Sequence, residues 1–118
     1  MKILLLGGNG FLGPHVVNEL QGDYELRITD IVPIESKHET MQVDISDPDQ
    51  VRRATEGTDV VVNCSVLRPD RKHAFDVNTM GTYNGMLAAV ENGHTRHINT
   101  GPHFTQAGPS SENFDYDI

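Results

Sequence analysis

The chain has 118 residues, enough for one domain with a single hydrophobic core and no need of covalent staples. Its 36% apolar content and mean hydropathy of −0.42 argue against a membrane protein, and apolar runs such as Ile3–Leu6 fall far short of a span. Nine Lys and Arg against 17 Asp and Glu give a net charge of −8, which argues against nucleic acid as a partner, because no basic stripe exists to displace counterions.

The lone Cys64 forbids an intrachain disulfide and an all-cysteine zinc cage, and it suits a reducing, cytoplasmic setting. Lys2, four apolar residues and then glycine lack the shape of a secretory leader.

Lys2–Leu6 is a nearly continuous apolar run bounded by glycine, the pattern of a strand buried on both faces. Phe11–Leu20 reads as a helix with Leu12, Val16, Val17 and Leu20 on one side and Gly22 placed to end it. Pro14 fits there only in the first turn, where its missing N–H costs no hydrogen bond. Tyr24–Thr29 alternates as a second strand does and runs into Asp30; Ile31–Glu39, with Pro33, is a loop.

Thr40–Val43 is a short third strand. Asp47-Pro48 opens a second helix with a capping carboxylate and proline at the first helical position, and Gly57 closes it. A capping box from Ser46 to Asp49 is the alternative start. Asp59–Cys64 carries three consecutive valines, as a central parallel strand does. Asp70 caps a long helix from about Arg71 to Glu91, stopped by Asn92-Gly93, and Thr95–Thr100 is a more polar fifth strand. From Gly101 to Ile118 no periodicity remains. Strands separated by helices imply right-handed crossovers and an α/β fold: a doubly wound, Rossmann-type parallel sheet, order 3-2-1-4-5, with helices on both faces.

Between the first strand and first helix lies Gly7-Gly8-Asn9-Gly10-Phe11-Leu12-Gly13. Gly7, Gly10 and Gly13 have the spacing in which one glycine allows a tight turn, the next admits a pyrophosphate to the backbone, and the third allows close packing of helix and sheet. Free N–H groups at the helix start, with the macrodipole, favour phosphate there. A triphosphate loop is excluded, since no Lys-Ser/Thr follows the glycines. Asp30, at the end of the second strand, suits both ribose hydroxyls of an adenosine and repels a 2′-phosphate, which favours NAD over NADP. Arg27 and Lys37 are the cations within sequence reach that would soften this preference.

With these motifs in order, residues 1 to about 100 resemble the extended short-chain dehydrogenase/reductases, the NAD-dependent epimerase/dehydratases. The resemblance rests on LLLGGNGFLG, on Asp44-Ile45, on VVNCSVLRPD and on Asp76-Val77-Asn78-Thr79-Met80-Gly81-Thr82-Tyr83-Asn84, similar to the family's Asn-Val-x-Gly-Thr-x-Asn signature. It implies that Gly7, Gly10, Phe11, Leu12 and Gly13 meet the dinucleotide. The Asp44 carboxylate and Ile45 N–H would meet adenine, and Cys64, Ser65 and Val66 would line the ribose and nicotinamide side. Gly81 within a helix costs about 1 kcal/mol relative to alanine and points to close packing on the sheet. Asn78 is either a structural tie or a cofactor contact.

The family's catalytic Tyr-x-x-x-Lys pair is not found: neither Tyr24, Tyr83 nor Tyr116 has a lysine four residues on. The family's upstream hydroxyl falls on Pro102, which leaves Thr100 or His103 as candidates. The chain therefore reads as residues 1–100 of an incomplete NAD-binding domain plus 101–118 as the start of an active-site loop. It would be the cofactor-binding part of an oxidoreductase that moves a hydride transiently on a nucleotide-linked sugar, inactive alone. The alternatives are a non-catalytic NAD-binding sensor and a dehydrogenase with a non-standard acid/base. The resemblance also implies a homodimer through the long helix. A metal site is not expected: His94 and His97 straddle a helix end and a strand, with no third ligand.

Overall fold

Alternation along the first strand, β1 (Lys2–Leu6), decides the architecture: Leu4 and Leu6 join one buried cluster, Ile3 and Leu5 another. A strand apolar on both faces needs a layer on each side. The structure, a computed structural model, describes residues 1–101 and supplies both layers.

Five parallel strands form one sheet in the order β3-β2-β1-β4-β5, with β2 at Glu25–Asp30, β3 at Glu39–Gln42, β4 at Val60–Asn63 and β5 at Arg96–Asn99. The expected class and strand order hold, with strand ends shifted by a residue. On one face α1 (Gly13–Leu20) lays Val16, Val17 and Leu20 over Ile3, Leu5, Leu26, Ile28, Val60 and Val62. On the other, α2 (Pro48–Thr55) and α4 (Gly81–Glu91) cover Leu4, Leu6 and Val61 with Val51, Ala54, Ala88 and Ala89. Leu4, Val51 and Val61 are fully buried, each contributing about 1.5–3 kcal/mol through removal from water.

Helix starts follow their chemistry. Asp47 caps α2, its carboxylate accepting from the N–H groups of Asp49 and Gln50, so the Asp-Pro reading holds against the Ser46 box. Asp70 likewise caps α3 (Arg71–Phe75), which runs on through a π-helical turn, Asp76–Met80, into α4. The long helix is thus present over its expected extent, widened by that turn. The first helix differs: it begins at Gly13 rather than Phe11, with Pro14 in its first turn as required. Phe11 and Leu12 belong to the glycine turn and are exposed, so Leu12 leaves the apolar side assigned to it.

Candidate cofactor-binding site

Strand order reverses beside β1, which has β2 on one side and β4 on the other. In open α/β sheets the crevice beyond the carboxyl ends of the strands at such a switch point is where ligands bind. An open cleft of about 410 Å³ lies there. Its walls are the ends of β1 to β4: Leu6 and Gly7, Thr29 to Ile31, Val43 to Ile45, and Cys64 to Leu67.

The glycine turn forms the floor. Gly7 has φ of +74°, open to glycine at little cost, and a Cβ there would sit 2.7 Å from the Ser65 backbone. The β1 and β4 loops therefore touch across the crevice. A Cβ on Gly10 would meet only the Gly7 carbonyl, at 3.3 Å, so a side chain there would stand in space a ligand can use. Gly13 packs differently from expectation: its Cβ would fall 2.3 Å from the Gly8 carbonyl oxygen, so it lets the helix close on the turn itself rather than on the sheet. Leu12 and Gly13 do not line the cleft; they offer main-chain N–H groups which, with that of Phe11, find no acceptor among the described residues. No side chain caps α1 and its first turn has no acidic residue, so no charge of the described residues in that turn offsets its positive end.

Asp30 closes one end of the cleft. Its Oδ2 accepts the Asn9 N–H at 3.0 Å and its Oδ1 the Val32 N–H at 3.4 Å, which fixes the carboxylate beside the glycine turn. Each oxygen keeps capacity for a further donor such as a ribose hydroxyl. Arg27 is not available to a 2′-phosphate: its guanidinium donates to the Ala54 and Glu56 carbonyls, both at 2.6 Å, and to Glu39 at 2.9 Å. Glu39 also pairs with Lys2, and these bonds pull its carboxyl below the ordinary value.

Asp44 and Ile45 line the wall after β3. Asn84, buried in α4, donates to the Ile45 carbonyl at 3.0 Å, and Gly81 makes room for the Ile45 side chain, which a Cβ would approach to 2.8 Å. Gly81 thus packs against this loop rather than on the sheet, because Ile45 stands between the helix and the strands there.

Opposite, Cys64, Ser65 and Val66 line the cleft with Leu67. Burial pushes the Cys64 thiol above its ordinary value, away from the thiolate that nucleophilic chemistry needs. Of the two readings of Asn78, its bonds fit the structural tie: both ends of its amide bind Leu67, accepting from its N–H at 2.9 Å and donating to its carbonyl at 2.7 Å, and it is not among the residues lining the cleft. Behind this loop Asn63 donates to Asn99 at 2.7 Å and accepts from the Ser65 N–H at 3.0 Å. Thr100 is held there too, its hydroxyl and N–H both bound to the Asn63 carbonyl, and it does not line the cleft. Its hydroxyl thus donates to backbone beside the Cys64–Leu67 loop. His103 lies outside the described residues. The spacing argument missed Gly8, whose Cβ would lie 2.2 Å from Ile28 Cγ2, and Ile31 and Val77, which add apolar wall.

Residues 4–103 match the 3-beta hydroxysteroid dehydrogenase/isomerase family. The chain belongs to that family. The recognition as an extended short-chain dehydrogenase/reductase therefore holds. The chain is 33% identical over 102 residues to the 3 beta-hydroxysteroid dehydrogenase/Delta 5→4-isomerase of vaccinia virus (strain Copenhagen), a match covering 74% of this chain and 30% of the viral one. In three dimensions it is similar to uronate dehydrogenase from Agrobacterium tumefaciens, with TM-score 0.75, 28% identity, and coverage of 84% of this chain and 40% of that one. A short-chain dehydrogenase/reductase superfamily protein from the same organism, solved with bound NAD, gives TM-score 0.78 at 26% identity, covering 84% of this chain and 32% of that one. The chain thus spans less than half the length of these relatives.

Proposed function

We propose that this chain is the cofactor-binding part of an NAD-dependent oxidoreductase that moves a hydride between substrate and nicotinamide. The carrying observation is the convergence of the Gly7–Gly13 turn, Asp30 and Asp44 on one crevice at the switch point. The phosphates would lie on Gly7, Gly10 and the α1 start, the adenosine ribose on Asp30, adenine on Asp44 and Ile45, and the nicotinamide side along Cys64 to Val66. NAD rather than NADP follows from Asp30 and from the capture of Arg27 by the carbonyls at the end of α2. The NAD bound in the Agrobacterium relative agrees with this choice.

For the intact protein the proposed substrate is a nucleotide-linked sugar, from the motif resemblance. A hydroxysteroid is the second reading, favoured by the viral relatives, although their match covers 30% of their length. The exposed apolar face of α4, with Tyr83, Met86, Leu87 and Val90, is where the proposed homodimer would form.

The test is NADH formation together with chromatographic analysis of the products, by the full-length protein with sugar nucleotides, free uronates and hydroxysteroids. Turnover of one class, with or without net NADH, assigns the substrate. NAD that binds while none of them is converted leaves a non-catalytic sensor. The His103→Ala variant then decides on the non-standard acid/base, since unchanged turnover removes that idea.

A further inference from the structure

The Asp44-Ile45 loop has an unusual hydrogen-bond inventory. The Asp44 N–H donates to Gln50 Oε1 at 2.9 Å, and its carbonyl accepts the Asp47 N–H at 3.0 Å. Asp44 Oδ1 accepts both the N–H and the hydroxyl of Ser46, at 2.9 and 2.7 Å. The Ile45 carbonyl accepts from Asn84. Two polar groups of these residues find no partner among the described residues: the acceptor Asp44 Oδ2 and the donor Ile45 N–H. An acceptor beside a donor complements the Watson–Crick edge of adenine, with its 6-amino donor and ring-nitrogen acceptor. It opposes hypoxanthine, whose 6-oxo group and ring N–H are reversed.

Gln50 is the side chain that holds the Asp44 N–H, as Asn84 holds the Ile45 carbonyl. Its Nε2 donates to Asp47 Oδ2 at 2.9 Å and its own N–H to Asp47 Oδ1 at 3.1 Å, so the cap of α2 aims Oε1 at the Asp44 N–H. With Asp44 N–H held by Gln50 and its carbonyl by Asp47, both dihedrals of Asp44 are held from α2. We propose that Gln50 is a positioning residue for base recognition: it sets the spacing of Asp44 Oδ2 and Ile45 N–H, and so the preference for a 6-aminopurine over a 6-oxopurine. This rests on the dinucleotide reading above.

The test measures binding of NAD and of nicotinamide hypoxanthine dinucleotide to the full chain by calorimetry, in the native protein, Gln50→Ala and Gln50→Glu. The native protein should prefer NAD by about tenfold or more. Gln50→Ala should reduce that ratio by at least about fivefold, and Gln50→Glu, which replaces the Nε2 donor with an oxygen facing Asp47 Oδ2, should reduce it as well. An unchanged ratio in Gln50→Ala, even with a lowered melting temperature, would overturn the proposal, since a mere tie at the helix start moves stability and not base preference. Should Gln50→Ala fail to fold, Gln50→Glu decides: a lowered ratio supports the proposal, a native one contradicts it. A native protein that binds neither dinucleotide refutes the dinucleotide reading and this inference together. One that binds both equally refutes the inference alone.

Discussion

Replacing Gly13 by alanine separates the structural glycines from the one proposed to serve a ligand. The new Cβ would lie 2.3 Å from the Gly8 carbonyl oxygen, 2.5 Å from its carbon and 2.6 Å from its Cα. All three are backbone atoms, so no rotamer relieves the contact and the turn must part by about 1 Å to reach ordinary separation. Such overpacking costs about 1–3 kcal/mol, and three simultaneous backbone contacts put Gly13 at the upper end. The gain in helix propensity from glycine to alanine returns at most about 1 kcal/mol, leaving a net loss of about 2. In a domain of this size that lowers the melting temperature by about 10 °C. Gly10→Ala meets only the Gly7 carbonyl at 3.3 Å and should melt within about 2 °C of the parent, yet bind NAD at least about tenfold more weakly. Thermal denaturation by circular dichroism and calorimetric NAD titration read the two effects separately. A Gly13→Ala protein as stable as the parent, or a Gly10→Ala protein that binds NAD normally, would refute the assignment of these roles.

Further expectations follow from other parts of the structure. Asn84→Ala strands the Ile45 carbonyl without its partner and should lower stability to urea by about 1–3 kcal/mol; no loss would mean that the buried tie contributes nothing. Burial, and then the neighbouring His94, hold His97 below the ordinary histidine value of 6.5. The unfolded chain therefore takes up this proton first as pH falls, and stability should decline below pH 6.5 and level off once the folded imidazole is also protonated. His97→Leu should flatten that decline, and an identical pH profile in the variant would contradict it. Cys64, with its raised thiol, should alkylate at pH 8 at least about tenfold more slowly than a free cysteine and slower still with NAD bound; reaction at the free rate would contradict its burial.

Local signals and non-local contacts divide what the sequence reveals from what it hides. The valine run of β4, the Asp47-Pro48 cap and the glycine spacing are determined within a few residues, so fold class, strand order and the crevice are legible before any coordinates. The walls contributed by Asp30, Asp44, Ile45 and Cys64 to Val66 are likewise at ends of elements that pattern alone locates. Gly8 matters because Ile28, on another strand, stands against it, and no spacing rule contains that contact. Asn78 looks the same in sequence whether it binds ligand or loop; only the π-helical turn that sets it against Leu67 decides. Arg27 reads as a free cation beside the cofactor until α2 delivers two carbonyls to it. The bond of the Thr100 hydroxyl to the Asn63 carbonyl is likewise a contact that no spacing rule contains.

The central claim is a crevice built for NAD, and the most direct measurement is the affinity of the full chain for NAD and NADP, repeated with Asp30→Ala. Hydrogen bonds to a charged group contribute about 1.5–3 kcal/mol, so NAD should bind at least about tenfold more tightly than NADP, and Asp30→Ala should weaken NAD by about 10- to 100-fold while narrowing the gap. Equal or tighter binding of NADP, or NAD binding indifferent to the loss of Asp30, would contradict the account.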